Sequence, residues 1–198
     1  MRRLRQILWG AVFAALLSTL AIVLYQRAEP LLSELPLAAP IGGPFDLVTQ
    51  DGGRLGSETL KGTPFAVFFG FTYCPDVCPT TMLGLSNLLK TLGADADRMR
   101  YFFISVDTER DTPEHLKLYL SNFDPRIKGL TGSPEEIAAV AKSYRAYYEK
   151  VPTKDGFTYN HTATIYLMDR KGRLASTISY QESDDIQAAK LKRVIADR

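Results

Sequence analysis

Residues 65–79, FAVFFGFTYCPDVCP, decide how the rest of the chain is read. Phe65-Ala66-Val67-Phe68-Phe69 is an unbroken apolar run between Pro64 and Gly70, which predicts a strand buried on both faces of a sheet. The chain's 2 cysteines, Cys74 and Cys78, follow at once. They stand at the carboxyl end of that strand, where open α/β sheets hold their ligands. Beyond them Met82, Leu85, Leu88, Leu89 and Leu92 recur at helical spacing, and Gly93 stands where a C-terminal cap belongs. Pro75 and Pro79 stiffen the loop between strand and helix and predict that the helix proper starts at Pro79.

Downstream of this unit, Arg100 to Val106 (RYFFISV) reads as a second buried strand. Thr112-Pro113-Glu114 opens a helix to about Phe123. A short strand over 128–131 leads to Ser133-Pro134-Glu135-Glu136, a capping-box pattern that starts a helix to about Tyr148. Thr162 to Met168 and Arg173 to Ser179 read as a hairpin turned at 169–172, and Ser183-Asp184-Asp185 starts the last helix. Upstream, Phe45 to Thr49 reads as a strand entering a turn at Asp51-Gly52-Gly53, with a short helical turn at 58–61. A parallel crossover, then helices, then an antiparallel pair and a final helix is the order of a thioredoxin-like α/β fold, a mixed sheet flanked by helices.

The folded domain is expected over 45–198. Before it, Ile7 to Tyr25 is a 19-residue run without charge, long enough as a helix for a bilayer core of about 30 Å. Arg2, Arg3 and Arg5 precede the run, so the positive-inside bias places residues 1–6 in the cytoplasm and the body outside. An N-terminal transmembrane anchor at 7–25 is therefore expected. The competing reading, a cleaved signal peptide, is weakened by the length of the run and the lack of a clear cleavage site. No cysteine near its end permits a lipoprotein. Pro30, Pro36, Pro40 and Pro44 mark 26–44 as a semi-extended linker.

With 198 residues, one well-filled core is the default. The 24 basic and 22 acidic residues nearly balance once the three N-terminal arginines are set aside, and no basic stripe follows residue 5. That excludes nucleic acid as a partner.

The cysteines carry the chemistry. A thiol at a helix start has a lowered pKa, which suits metal binding and disulfide exchange alike. Their spacing allows a bonded pair or one bridged by a metal ion. A structural staple would close a very small loop and contribute little. His161 stands at the first position of the predicted strand 162–168. If that strand is antiparallel to 65–69, His161 lies beside both thiols. Two thiolates and an imidazole are a soft, three-coordinate set that favours copper(I) and accepts copper(II), whereas a structural zinc site normally takes four ligands. His115 is expected on a solvated helix face. Asp107, Glu109, Arg110 and Asp111 end the strand 100–106 on the same sheet edge, where turn and capping roles are expected ahead of support for the thiols.

Four ordered blocks, FTYCPDVCPT, FISVDTERDTPEHLKLY, GLTGSPEEIAAVAKSYRAYY and NHTATIYLMDRKGR, closely resemble the Sco/SenC family of copper chaperones for cytochrome c oxidase, over about residues 45–180. The resemblance implies a thioredoxin-like domain that binds copper through Cys74, Cys78 and His161. It implies copper supplied by an upstream donor and delivered to the CuA centre of oxidase subunit II, with reduction of that target's cysteines as a second role. For a bacterium it implies a single-pass inner-membrane protein with a periplasmic domain. Family members often carry aspartate before the histidine; here the residue is Asn160. The competing functions are a metal-independent thiol-disulfide oxidoreductase or thiol peroxidase, and an interaction domain with a structural disulfide. Against the first stand three residues between the cysteines, where thioredoxin-type reductases have two, and the position of the lone tryptophan, Trp9, far from the cysteines.

Overall fold

Phe65–Gly70 forms the expected strand, β3, with all six residues buried. It lies inside a mixed sheet. Parallel to it runs β4 (Arg100–Ser105), in register from Phe65 opposite Arg100 to Gly70 opposite Ser105. On its other side β8 (Thr164–Met168) runs antiparallel, with Phe68 opposite Ile165. Partners on both edges pair the β3 backbone inside the core, which explains why its sequence can be apolar throughout.

The structure is a computed structural model that describes residues 2–33 and 40–197. The chain divides into two compact units, Met1–Ala39 and Pro40–Arg198. The second unit adds β1 (Asp46–Thr49), β2 (Arg54–Gly56), β5 (Ile127–Thr131) and β9 (Leu174–Ser179), giving a seven-stranded sheet in the order β2-β1-β5-β4-β3-β8-β9. In this sheet the β3–β4 and β4–β5 neighbours pair parallel and the other neighbours pair antiparallel. The helices are α2 (Val77–Leu92), α3 (Pro113–Leu120), α4 (Pro134–Tyr144) and α5 (Asp184–Ala196). This is the thioredoxin-like arrangement that the order of elements predicts. The capping signals hold as well. The Thr112 hydroxyl accepts from the His115 amide at 3.2 Å, and Ser133 with Glu136 closes a reciprocal capping box.

Three helix boundaries differ from expectation. Helix α2 starts at Val77, so Cys78 and Pro79 are helical; a proline is tolerated in the first turn because its missing N–H has no intrahelical acceptor there anyway. Helix α3 stops at Leu120, short of Phe123. Helix α4 stops at Tyr144, where Arg145 adopts a left-handed backbone with φ 52°. Four residues beyond it, two unpredicted strands, β6 (Tyr148–Thr153) and β7 (Gly156–His161), form a separate antiparallel ribbon. Its turn passes through Lys154 and Asp155 into Gly156, whose φ of 137° suits glycine.

In the first unit, helix α1 runs Arg2–Ser33, continuing through the first residues of the expected linker. The transmembrane anchor expected at 7–25 falls within it but is not supported: among the described residues no helix is long and apolar enough to cross a membrane. The uncharged run contains Gly10, Ser18 and Thr19, and Ile7, Leu8 and Ala11 lie outside the residues whose side chains are described. Positions 34–39 of the linker also lie outside the described residues.

Candidate metal centre

The chain leaves β3 through Gly70, whose backbone passes directly beneath the sulfur of Cys78. A Cβ at this position would stand 2.8 Å from Cys78 Sγ, 2.8 Å from Phe68 Cε1 and 2.9 Å from Phe103 Cε2. Only a glycine lets strand and thiol approach so closely. The loop that follows is tied to the end of β4. The Thr72 amide and hydroxyl donate to Asp111 at 2.9 and 2.6 Å, and the Ser105 hydroxyl donates to the same carboxylate at 2.5 Å. Asp111 is therefore a buried brace for the cysteine loop, beyond the turn and capping role expected of it.

Both cysteines are free thiols; Cys78 is buried and Cys74 half-buried. The Cys78 amide, in the first turn of α2, points at Cys74 Sγ from 3.5 Å. The Cys74 thiol is pushed down to about 3: hydrogen bonding from Cys78 contributes most, followed by His161 and the backbone amides of Asp76 and Cys78. Cys78 moves the opposite way, its thiol raised by burial and then by the neighbouring Cys74 charge. At neutral pH the pair is one thiolate at the rim and one thiol beneath it.

His161 completes the group. Its Nε2 lies 3.3 Å from Cys78 Sγ and 3.9 Å from Cys74 Sγ. Its Nδ1 lies 3.2 Å from the Thr162 carbonyl, which orients the ring so that Nε2 faces the sulfurs. The ligand atoms of Cys74, Cys78 and His161 all lie within 4.8 Å of one another. The ring stands edge-on to Phe68 at 5.9 Å and Phe71 at 5.6 Å, walls that fix its tilt. The site opens to a shallow groove lined by Phe71, Pro75, Val77, Thr158 and Tyr159.

All three residues singled out in the sequence thus converge, but by a different route for the histidine. His161 is the last residue of β7, not the first of the core strand, and β8 begins at Thr164. The antiparallel pairing of β3 with β8 still brings it to the right end of the sheet. Asn160 is exposed and sits across the ribbon from Glu149. His115 is not fully solvated: it is part-buried, with its ring 5.1 Å from that of Tyr73 and its Nδ1 3.9 Å from Asp111. Sequence reasoning missed the walls Phe68, Phe71 and Tyr159. The phenylalanines clustered in 65–71 and the alternating rings Phe157, Tyr159 and His161 were the available signal.

Comparison with known proteins gives a consistent picture. A family model described as SCO1/SenC matches residues 33–196. The mitochondrial SCO1 homolog 1 of Arabidopsis thaliana is 43% identical over 135 residues, which cover 66% of this chain and 40% of that protein. The structure of Bradyrhizobium japonicum ScoI with copper bound is 54% identical, with a TM-score of 0.73, over 78% of this chain and 99% of that one. BsSco, described as a member of the Sco family of cytochrome c oxidase assembly proteins and as carrying a disulfide switch, is 30% identical with a TM-score of 0.65, over 82% and 97% of the two chains. The chain spans between 40% and 66% of the length of the curated relatives it matches.

Proposed function

The chain belongs to the SCO1/SenC family, and on that premise we propose that its folded unit takes up one copper ion between Cys74, Cys78 and His161 and delivers it to the CuA centre of cytochrome c oxidase subunit II. The observation that carries this reading is the donor set: two sulfurs and an imidazole nitrogen, all within 4.8 Å. Soft sulfur ligands select copper(I), and the imidazole extends the range to copper(II). A structural zinc site would call for a fourth ligand. With Cys74 already ionised, uptake near neutral pH releases fewer protons than it would from two ordinary thiols. An upstream donor must supply the ion.

The same pair supports a second activity, favoured by the thiolate of Cys74 standing against the Cys78 thiol. The thiolate attacks a target disulfide, Cys78 resolves the mixed disulfide, and the target leaves as a dithiol. The two electrons come from the Cys74–Cys78 pair, which becomes a disulfide. Oxidase subunit II, reduced before metallation, is the target this role would serve.

Anaerobic titration of the reduced protein with copper(I) against a competing chelator tests the first reading. The expected result is one tightly bound ion, with affinity at least about 100-fold weaker in His161→Ala and in Cys78→Ser. Unchanged affinity in His161→Ala would remove the third ligand and the reading with it. Rapid disulfide turnover by the metal-free protein, without copper uptake, would promote the second activity to the principal one.

A further inference from the structure

His161 is carried by the β6–β7 ribbon, and that ribbon shares no ladder with the seven-stranded sheet. A lone two-stranded pair is marginal in water. Something other than backbone pairing must therefore hold it over the cysteines.

Alternate residues of a strand share a face, so Phe157, Tyr159 and His161 point the same way from β7. His161 meets the sulfurs, and Tyr159 meets Phe71 with ring centroids 5.4 Å apart. Phe157 meets Arg110, which comes from the loop after β4. The guanidinium carbon lies 3.9 Å from the Phe157 ring centroid and 4.6 Å from that of Tyr73, the residue preceding Cys74. Arg110 Nη1 also donates to the Phe157 carbonyl at 3.1 Å. On the other side Nε pairs with the buried Asp107, whose carboxylate also accepts from the Arg110 amide. Nη2 is buried without an acceptor among the described residues, so the guanidinium is placed by the rings, Asp107 and Phe157 rather than by a saturated hydrogen-bond network. The neighbouring strand repeats the contact: Lys150 sits 3.7 Å over the Phe157 ring and pairs with Glu109.

One side chain thus touches the residue next to a sulfur ligand and the strand that presents the nitrogen ligand. We propose that Arg110 is a positioning residue that clamps the ribbon to the cysteine loop and fixes His161 against the two sulfurs before any ion arrives. This rests on the copper reading only for its consequence, not for the clamp itself. Since Phe157 and His161 lie on one face of one strand, fixing the first sets the roll of the second. Without the clamp the ribbon samples lifted states, and apparent affinity falls with the fraction that remains seated. The loss should be about tenfold, the scale of a cation–π contact with a charge-assisted hydrogen bond.

The test uses the full chain carrying Arg110→Ala, Arg110→Lys, Phe157→Ala or the Arg110→Ala/Phe157→Ala pair. Phe157→Ala leaves the Arg110–Asp107 pair intact, so it remains informative if loss of the arginine strands the buried carboxylate and impairs folding. In the reduced, metal-free protein, amide exchange over 148–161 should quicken about tenfold while 65–70 and 100–105 keep their protection. Copper(I) affinity should fall about tenfold in each alanine variant, and the loss in the pair should fall short of the sum of the two free-energy losses, because both variants remove the Arg110–Phe157 contact. Arg110→Lys keeps the charge but not the planar fork and should lie nearer the alanine variant than the wild type. Unchanged ribbon exchange, loosening shared equally by the core, or additive losses in the pair would overturn the clamp. If the wild type takes up no copper, the proposed function fails, while the exchange measurement still decides the clamp.

Discussion

Replacing Gly70 by alanine tests the packing behind the site. The added methyl would stand 2.8 Å from Cys78 Sγ and Phe68 Cε1 and 2.9 Å from Phe103 Cε2, whereas ordinary contact begins at 3.4 Å. Each neighbour must therefore retreat by about 0.5 Å. None has room to do so: Cys78 and Phe103 are 0% exposed and Phe68 is 1% exposed. Overpacking a close-packed core costs about 1–3 kcal/mol, and three-sided confinement argues for the upper end. For a domain of this size that lowers Tm by about 6–10 °C. It also pushes one sulfur beyond the roughly 0.2 Å that a metal site tolerates, so copper(I) affinity should fall at least about tenfold. The control is Gly84→Ala in α2, where a Cβ meets nothing within 4 Å. There the same substitution should raise Tm by about 2–4 °C through helix propensity alone. Thermal unfolding followed by circular dichroism, with chelator competition on the reduced protein, measures both. A Gly70→Ala protein that melts and binds like the wild type would show that the strand does not hold Cys78 from beneath.

Alkylation of Cys74 by iodoacetamide, followed by peptide mass, should proceed at a nearly constant rate from pH 5 to pH 8. A thiol pushed down to about 3 stays ionised throughout this range, whereas an ordinary one loses about tenfold of its thiolate per pH unit. The main cause is the Cys78 thiol, so Cys78→Ala should restore the steep dependence; a steep profile in the wild type would refute the assignment. Asp111→Ala strips three donors of their acceptor in a buried site and should cost about 3–5 kcal/mol in chemical denaturation, with the cysteine loop losing order; a cost below about 1 kcal/mol would refute the brace. Tyr144→Phe should go the other way. Its buried hydroxyl has no partner among the described residues, so removal should be neutral or stabilise by up to about 1 kcal/mol, read from the denaturation midpoint.

The core strands were legible because burial on both faces leaves an unambiguous apolar run, as in Phe65–Gly70 and Arg100–Ser105. Capping signals were equally direct at Thr112 and Ser133, where a local hydrogen bond sets the boundary. The ribbon was not. Strand β6 places only Tyr148 and Val151 in partial burial, so it lacks the alternation that marks a strand packed on a core. Its register comes instead from the Lys154–Asp155 turn and from side chains that reach other loops. Both thiols were visible from their position after a buried strand, and His161 from topology. Arg110 and Asp111 were not, because a charged turn reads the same whether its partners are solvent or a loop that the fold brings back 39 residues away.

Cys74 and Cys78 differ in depth, and that gives the site a front and a back. Cys78, in the first turn of α2, is sealed over the glycine of β3, Cys74 lies at the rim, and His161 hangs from a ribbon that shares no ladder with the main sheet. On the proposed function, an incoming donor atom would meet Cys74 and His161 first and replace them one at a time, while Cys78 kept its hold. Exchange from such a site would have an order, with the back sulfur the last bond given up, so that the ion would not be free between one protein and the next.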